Sequence, residues 1–443
     1  MYATSPNSII GWGMGVTQQR QGVKTVHQIA AVACIANQIG RDAAGLAPVR
    51  GQNNVQGSCD MGMWPTLYPG YQKVDDPAIR AKFAKSWGVP EEKLSLEPGF
   101  KLTDLPHGVK EGKIHAFYNF GEDPLQTEPD SADMKETLQN CDFVISQDIF
   151  MTQTTAYADV VFPGTSWGEH DGVFSASDRT FQRFTAAVPP KGECKHDWQI
   201  FSELSTRMGY PMHYENTKEI WDEVRENCPS FYGATYEKME GVGHAQWPIP
   251  TLECPGTPTL FKGGKFNKPD GKARLLAADF VVPTELPDDE YPLVLCTVRE
   301  VGHYSCRSMT GNCKVLSLLA DEPGFVNINP ADAEARGIAQ DDLVFVKSRR
   351  GKVITRANLN ERINKGAVYM TYQWWIGKCN QLTMHVTDPL SGTPEDKHSA
   401  CQVEQIEDQV WAERYAQKLY TDMKDWLAGE ASAQDVAPTE ALV

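Results

Sequence analysis

Apolar and polar positions fall into short strand-like and helix-like runs from the start of the chain. SIIGWGMG (8–15) reads as a strand entering a glycine-rich turn, and VKTVHQIAAVACIANQIG (23–40) as an apolar helix closed by Gly40. KIHAFYNFGEDP (113–124) is a second strand entering a polar loop, CDFVISQDIF (141–150) a third ending in Asp148, and ADVVFPG (158–164) a fourth. Strands separated by helix-length segments predict a parallel α/β sheet, which binds ligands outside the carboxyl ends of its strands. GEDP and the Gln147–Asp148 pair fall at such ends.

From 165 to about 260 the rhythm is lost to aromatic, charged and Pro-rich sequence, with one helix predicted at HDWQIFSELSTRMG. From about 261 the pattern becomes strand-rich: PLVLCTVRE, then LVFVKSRRGKVITRANL with a turn at RRGK, then GAVYMTYQWW. NINPADAEARGI predicts a short helix with Asn329 as N-cap and Pro330 in its first position. This part is expected to be a β-barrel with a helical insert. Ile406, Val410, Tyr415, Leu419 and Met423 predict a packed helix over 405–429, and the small, polar ending a frayed tail.

At 443 residues the chain exceeds one compact core. Four segments are expected: 1–55, the end of an αβα domain with a polar arginine loop; 56–164, a second αβα domain; 165–260, a connecting domain; and 261–443, the barrel. The formal charge of −16, from 42 Lys+Arg against 58 Asp+Glu, argues against nucleic acid and anionic membranes as partners. No run reaches the eighteen or so apolar residues of a membrane span, and MYATSPNSII lacks a signal-peptide layout, so a cytoplasmic protein is expected. Eleven cysteines with no CxxC pair fit reduced thiols better than disulfides, zinc or an iron–sulfur site; Cys306 and Cys313 read as packing residues.

Four stretches carry candidate chemistry. VRGQNNVQG (49–57) is nearly devoid of apolar residues, and its amides, glycines and arginine suit either a surface loop or a site for a flat polar ligand. NFGEDPLQT delivers Gly121, Asp123 and Thr127 to a strand end, the kit for a phosphate or sugar, and Gln147 with Asp148 ends the next strand where ribose hydroxyls commonly bind. CTVREVGHYSCRSMTGN sets Arg299, Glu300, His303, Tyr304 and Arg307 in one loop, either for anionic or heteroaromatic groups or as a salt-bridged surface. In MTYQWWIGKCNQLT, Tyr372, Gln373, two tryptophans and Asn380 are placed on one strand and read mainly as core.

Taken together, LAPVRGQNNVQGSCDMG, GEDPLQT, QDIFMT, ADVVFPGTSWGEHDGVF, TVREVGHYSCRSMTGN and MTYQWWIGKCNQLT resemble the molybdopterin-dependent formate dehydrogenases of the dimethyl-sulfoxide-reductase superfamily, over nearly the whole chain. The likeness is strongest to the soluble selenocysteine-type enzymes of anaerobic metabolism. It implies Rossmann-like αβα domains followed by a double-psi-like barrel, and oxidation of formate to CO2, or the reverse, at molybdenum or tungsten held by two molybdopterin guanine dinucleotides. By that resemblance Arg50 is the catalytic arginine that pairs with the substrate carboxylate. Met14, Gln18 and Gln52 contact the cofactor, and Gly121, Asp123, Thr127, Gln147, Asp148 and Asp197 hold one guanine dinucleotide. Arg299, Glu300, His303, Tyr304, Tyr372, Asn380 and Lys397 contact the pterins from the barrel.

The chain also departs from the family. The part that bears the [4Fe-4S] cysteines, the metal-ligating cysteine or selenocysteine with its histidine, and the other dinucleotide site is missing, and PEDKHSAC near Lys397 departs locally. The expectation is the carboxyl-terminal portion of such an enzyme, as half of a split subunit or as a truncated product read from a Met downstream of a UGA codon. Its partners are then formate and CO2, an amino-terminal half and an iron–sulfur electron-transfer subunit. Rival readings are a non-catalytic cofactor-binding scaffold, which has no need of Arg50, and a molybdopterin oxidoreductase acting on nitrate.

Overall fold

The computed structural model describes residues 1–241, 243–318 and 322–429. The predicted frayed tail therefore falls almost wholly outside the described residues. Two compact units divide the chain: Met1–Met14, Lys24–Leu102 and Gly164–Ala278 form the first, and Gly15–Val23, Thr103–Pro163 and Asp279–Val443 the second. These units run across the four sequence segments, because residues 56–102 belong to the first and 103–163 to the second.

In the first unit, Ile9–Trp12 pairs in parallel with Gly45–Pro48, Ile9 opposite Gly45 and Trp12 opposite Pro48. The connecting helix spans Gly22–Ile35 and enters this unit at Lys24. Its end differs from the prediction: Asn37, at φ 53°, takes the left-handed turn, and the Gln38 N–H donates back to the Ala33 carbonyl at 2.8 Å. Gly40 instead permits a close backbone approach, since a Cβ there would lie 2.0 Å from the Phe261 carbonyl oxygen.

The stretch without rhythm, 165–260, contains a three-stranded antiparallel sheet (Gly172–Ser175, Thr180–Phe184, Ala245–Gln246) and the helices Asp197–Arg207 and Thr217–Asn227. Its core is aromatic, which is why no aliphatic period marks it. Phe181 meets Trp221 and Phe231 edge-on at centroid distances of 4.9 and 5.0 Å.

In the second unit, β1 (Ala116–Phe120), β2 (Phe143–Asp148) and β3 (Val160–Pro163) form the predicted parallel sheet in that order. Between β1 and β2 lie α1 (Pro124–Thr127) and α2 (Ser131–Asn140), whereas the link from β2 to β3 holds only a 3-10 turn at Thr155–Tyr157.

The barrel strands are β4 (Leu293–Thr297), β5 (Phe325–Ile328), β6 (Leu343–Ser348), β7 (Gly351–Leu359), β8 (Ala367–Met370) and β9 (Ser399–Gln405), with α3 (Pro330–Glu334) after β5 and α4 (Gln409–Leu427) last. They close in the order β4-β8-β5-β7-β6-β9. Only β4 with β8 and β5 with β7 pair in parallel. Leu295, Val326, Ile328, Val344, Val346 and Val368 fill the interior at zero exposure, as alternating inward positions should. Asn329 caps α3 as predicted, its side-chain oxygen accepting from the Ala331 N–H at 2.9 Å.

Three expectations need correction. The last predicted strand stops at Met370, so Tyr372, Gln373, both tryptophans and Asn380 sit in a loop and 3-10 turn. Val410 is exposed, and α4 buries Ala412, Ala416, Leu419 and Trp426 instead, a seam built on small residues that a search for large ones passes over. Cys306 is buried but Cys313 is exposed; all eleven thiols are unpaired.

Candidate functional site

The polar stretch 49–57 divides its work. It follows the parallel strand Gly45–Pro48 and runs into a helix at Val55–Asp60. Asn54, at φ 59°, accepts from the Ser175 N–H at 2.9 Å, and buried Gln56 donates to Asp60 at 2.9 Å and to the Tyr71 hydroxyl at 2.8 Å. Asp60, fully buried, also accepts from Tyr71 (2.8 Å), Ser175 (2.6 Å) and the Trp247 indole (3.1 Å). These amides are structural. Arg50 is half-buried at the strand's carboxyl end, and Nη1 donates to the Cys59 thiol at 3.3 Å. Among the described residues it has no carboxylate ion-pair partner, so the guanidinium keeps its capacity for an anion. Gln52 is half-buried in the same loop, and Met14 opens the short helix Met14–Thr17.

Asp197 also belongs to the first unit, where it opens its helix and lines a cavity of about 250 Å³ with His170, Asp171, Trp198 and Trp221. It is thus in a different unit from the other residues expected around the guanine dinucleotide. The GTSWG run (164–168) has the spacing of a hydrolase nucleophile elbow. Ser166 is instead committed to a capping box with Glu169.

The second unit gathers the rest. Gly121, at φ 62°, has open space where a Cβ would stand, and its N–H donates to the Gln147 carbonyl at 2.9 Å. The Gln147 side chain accepts from the Tyr118 hydroxyl at 2.6 Å, and Asp148 accepts from the backbone of Ile149 and Phe150. Asp123 is only 3% exposed and accepts from the Thr154 N–H and hydroxyl at 2.9 and 2.7 Å, so it braces the loop.

This sheet end is stitched to the loop after β8. The Gln126 amide donates to the carbonyls of Tyr372 and Gln373, each at 3.0 Å; Lys378 donates to the Leu125 carbonyl at 3.0 Å; and Asn380 donates to the Thr127 carbonyl. Gln373 in turn holds the loop after β4: its oxygen accepts from the Glu300 N–H at 2.6 Å, and its amide donates to the His303 carbonyl at 2.8 Å. Thr310 braces the same loop, its hydroxyl 3.1 Å from His303 Nδ1 and accepting from the Tyr304 N–H at 3.2 Å.

Arg299 is exposed, its guanidinium 4.5 Å from the centroid of the Tyr372 ring, and burial pushes the Tyr372 hydroxyl up to about 12. Arg307 is turned away. It forms a buried pair with Glu322 at 2.6 Å and lies over Trp374, a structural use of the second arginine. Lys397 donates to the Thr297 carbonyl and hydroxyl at 2.6 and 2.9 Å, and burial lowers its pKa.

Two acids at this place escaped sequence reasoning. Buried Asp396 accepts from the Gln18 amide at 2.7 Å through Oδ2, while Oδ1 has no partner. Burial lifts its carboxyl to about 6 against the pull of Lys397 and Arg299. Half-buried Glu128 is lifted to about 8 by burial, then by Asp396 and Glu122. Their only sequence signal was adjacency to GEDPLQT and to Lys397. No cluster of three or more His, Cys, Asp or Glu side chains is placed to hold a metal among the described residues.

Residues 2–207 match the family model described as "Molybdopterin oxidoreductase", and residues 293–400 that described as "Molydopterin dinucleotide binding domain". The chain belongs to the molybdopterin oxidoreductases. Among members of that family, it is 54% identical over 435 residues to "Formate dehydrogenase H" of Escherichia coli, covering 98% of this chain and 60% of that protein. It is 38% identical over 409 residues to "F420-dependent formate dehydrogenase 1 subunit alpha" of Methanococcus maripaludis, covering 92% of this chain and 59% of that one. The molybdopterin oxidoreductase chain thus spans about three fifths of the length of these relatives. The solved acetylene hydratase from Pelobacter acetylenicus superimposes with a TM-score of 0.65 at 17% identity, covering 92% of this chain and 62% of that one, and shares the fold. No described helix is long and apolar enough to cross a membrane.

Proposed function

We propose that the chain is part of a formate dehydrogenase, with Arg50 binding the substrate carboxylate and the second unit binding a molybdopterin guanine dinucleotide. The observation that carries the first half is Arg50 at the carboxyl end of a parallel strand, beside a thiol and, among the described residues, without a carboxylate ion-pair partner. Two parallel N–H···O bonds to formate would fix both oxygens and leave the C–H directed away from the fork. Gln52, in the same loop, is within this reading a cofactor contact.

The dinucleotide site is supported by the open cradle at Gly121, the exposed Arg299 held over Tyr372, and a buried Asp396 oxygen lacking a partner. These suit a ligand with phosphates, flat rings and hydrogen-bond donors. Arg299 and Lys397 would neutralise phosphate or pterin oxygens, and Gln373 and Asn380 would hold the loops that present them. When bound, the cofactor supplies the metal, molybdenum or tungsten, that accepts two electrons from formate. Within this proposal the parallel sheet is Rossmann-like and the barrel double-psi-like. The second dinucleotide, the [4Fe-4S] cluster and the cysteine or selenocysteine ligand reside in the remaining two fifths of the relatives' length, the electrons pass to an iron–sulfur subunit, and the enzyme works in the cytoplasm.

Formate-dependent and nitrate-dependent dye reactions, run on the chain purified from its source with metal analysis of the same sample, test the reading. Formate-dependent dye reduction with molybdenum or tungsten present is expected; metal present with nitrate turnover alone would overturn it.

A further inference from the structure

We propose that Glu128 and Asp396 read the 2-amino-4-oxopyrimidine edge that guanine and pterin share. The inference rests on the dinucleotide site proposed above and names the residues that select its heterocycle. That edge presents a ring N–H beside an amino group, two adjacent donors, which carboxylate oxygens accept and which adenine does not offer in the same place.

Asp396 holds a buried acceptor without a donor, and Glu128 adds acceptors beside it. Asp396 is held by the Gln18 amide through Oδ2, which fixes the plane of its carboxylate, and Oδ1 is buried without a partner. A buried acceptor left unmade is costly, so the position favours any ligand that brings a donor. Among the described residues Glu128 has neither a hydrogen-bond nor an ion-pair partner for its side chain, although it is half-buried and close enough to Asp396 for their charges to interact. The buried Asp396 oxygen therefore lacks a donor, and the half-buried Glu128 carboxyl adds acceptor oxygens within electrostatic reach of it. Arg299, the nearby cation, is exposed over the Tyr372 ring, where an anionic part of the same ligand would meet it while the acids hold its ring.

The variants follow from that geometry. Asp396→Asn keeps the shape, but the Gln18 amide donates to it and draws its oxygen, which turns an –NH2 toward the place where Oδ1 stood. Glu128→Gln halves the acceptor capacity of the ionised carboxyl, so binding is compared above pH about 8, where Glu128 has lost its proton. Binding of GDP, IDP (which lacks the 2-amino group), ADP and neopterin to the full chain is measured by calorimetry, with circular dichroism and melting of each variant as a check on folding.

For the unaltered chain, GDP or neopterin is expected to bind about tenfold or more tightly than IDP or ADP, and both substitutions should erase that preference while the fold is retained. The tighter of GDP and neopterin identifies which end of the cofactor lies here. Selective binding that survives in both folded variants overturns the role of Glu128 and Asp396 and leaves the dinucleotide site standing. Failure of the unaltered chain to bind either GDP or neopterin overturns both.

Discussion

The side-chain oxygen of Gln373 accepts from the backbone N–H of Glu300 at 2.6 Å, although the two lie 73 positions apart. Through that bond and the one to the His303 carbonyl, a fully buried amide sets the path of the loop that carries Arg299, Glu300, His303 and Tyr304. Replacing Gln373 with Leu strands a backbone donor and a backbone acceptor, each at about 1–3 kcal/mol. Lower thermal stability is expected, together with faster amide hydrogen exchange over 299–304; exchange at wild-type rates would show that the loop holds itself.

Arg50→Lys keeps the charge and removes the fork. A point charge cannot make two parallel bonds to one carboxylate, and formate-dependent turnover is expected to fall about a hundredfold. Metal content of the same samples should not change. Turnover within a few-fold of wild type would remove Arg50 from the substrate site.

Asp60→Asn tests the structural half of VRGQNNVQG. Four donors, from Gln56, Tyr71, Ser175 and Trp247, converge on the two oxygens of Asp60. Whichever way an amide is turned, its –NH2 faces two of them, so a loss of about 2–4 kcal/mol is expected in denaturant unfolding of the first unit. Loss below 1 kcal/mol would mean the network relaxes around the amide.

The pH response follows from two raised carboxyls. Asp396 and Glu128 hold a proton up to about 6 and about 8 when folded, well above the ordinary carboxyl range of the unfolded chain. The folded state therefore binds more protons, and this contribution to stability is whole at acid pH, declines as pH rises, and is gone above about 8. Melting temperature should fall between pH 6 and about 8, and Glu128→Gln should flatten that fall. A melting temperature that rises across the same interval in both proteins would contradict the assignment.

Much of this was legible in the sequence where burial follows a period. The three parallel strands, the cap at Asn329 and the hairpin across Arg349 and Arg350 obey one- or two-residue rules that leave a local mark. The antiparallel sheet around Phe181 left none, because aromatic side chains fill its core from irregular positions. At the candidate site, the resemblance named residues and roles but not the hydrogen bonds that hold those residues in place. Asp123 and Asn380 look like ligand contacts in the sequence, and in the structure they spend their hydrogen bonds on Thr154 and on the Thr127 carbonyl. Glu128 and Asp396 lie 268 positions apart, and only the folded chain brings their charges together.

The closing of the barrel also bears on how the protein is made. β9, residues 399–405, lies between β4 and β6 and pairs with both. The first barrel strand must then wait for more than a hundred residues of synthesis before its second neighbour exists, and of the ladders only β6 with β7 is joined by a tight turn. Such long-range closure is slow. On the ribosome the barrel is an open, sticky sheet until β9 has emerged, and its nascent form is where a chaperone has the most to do.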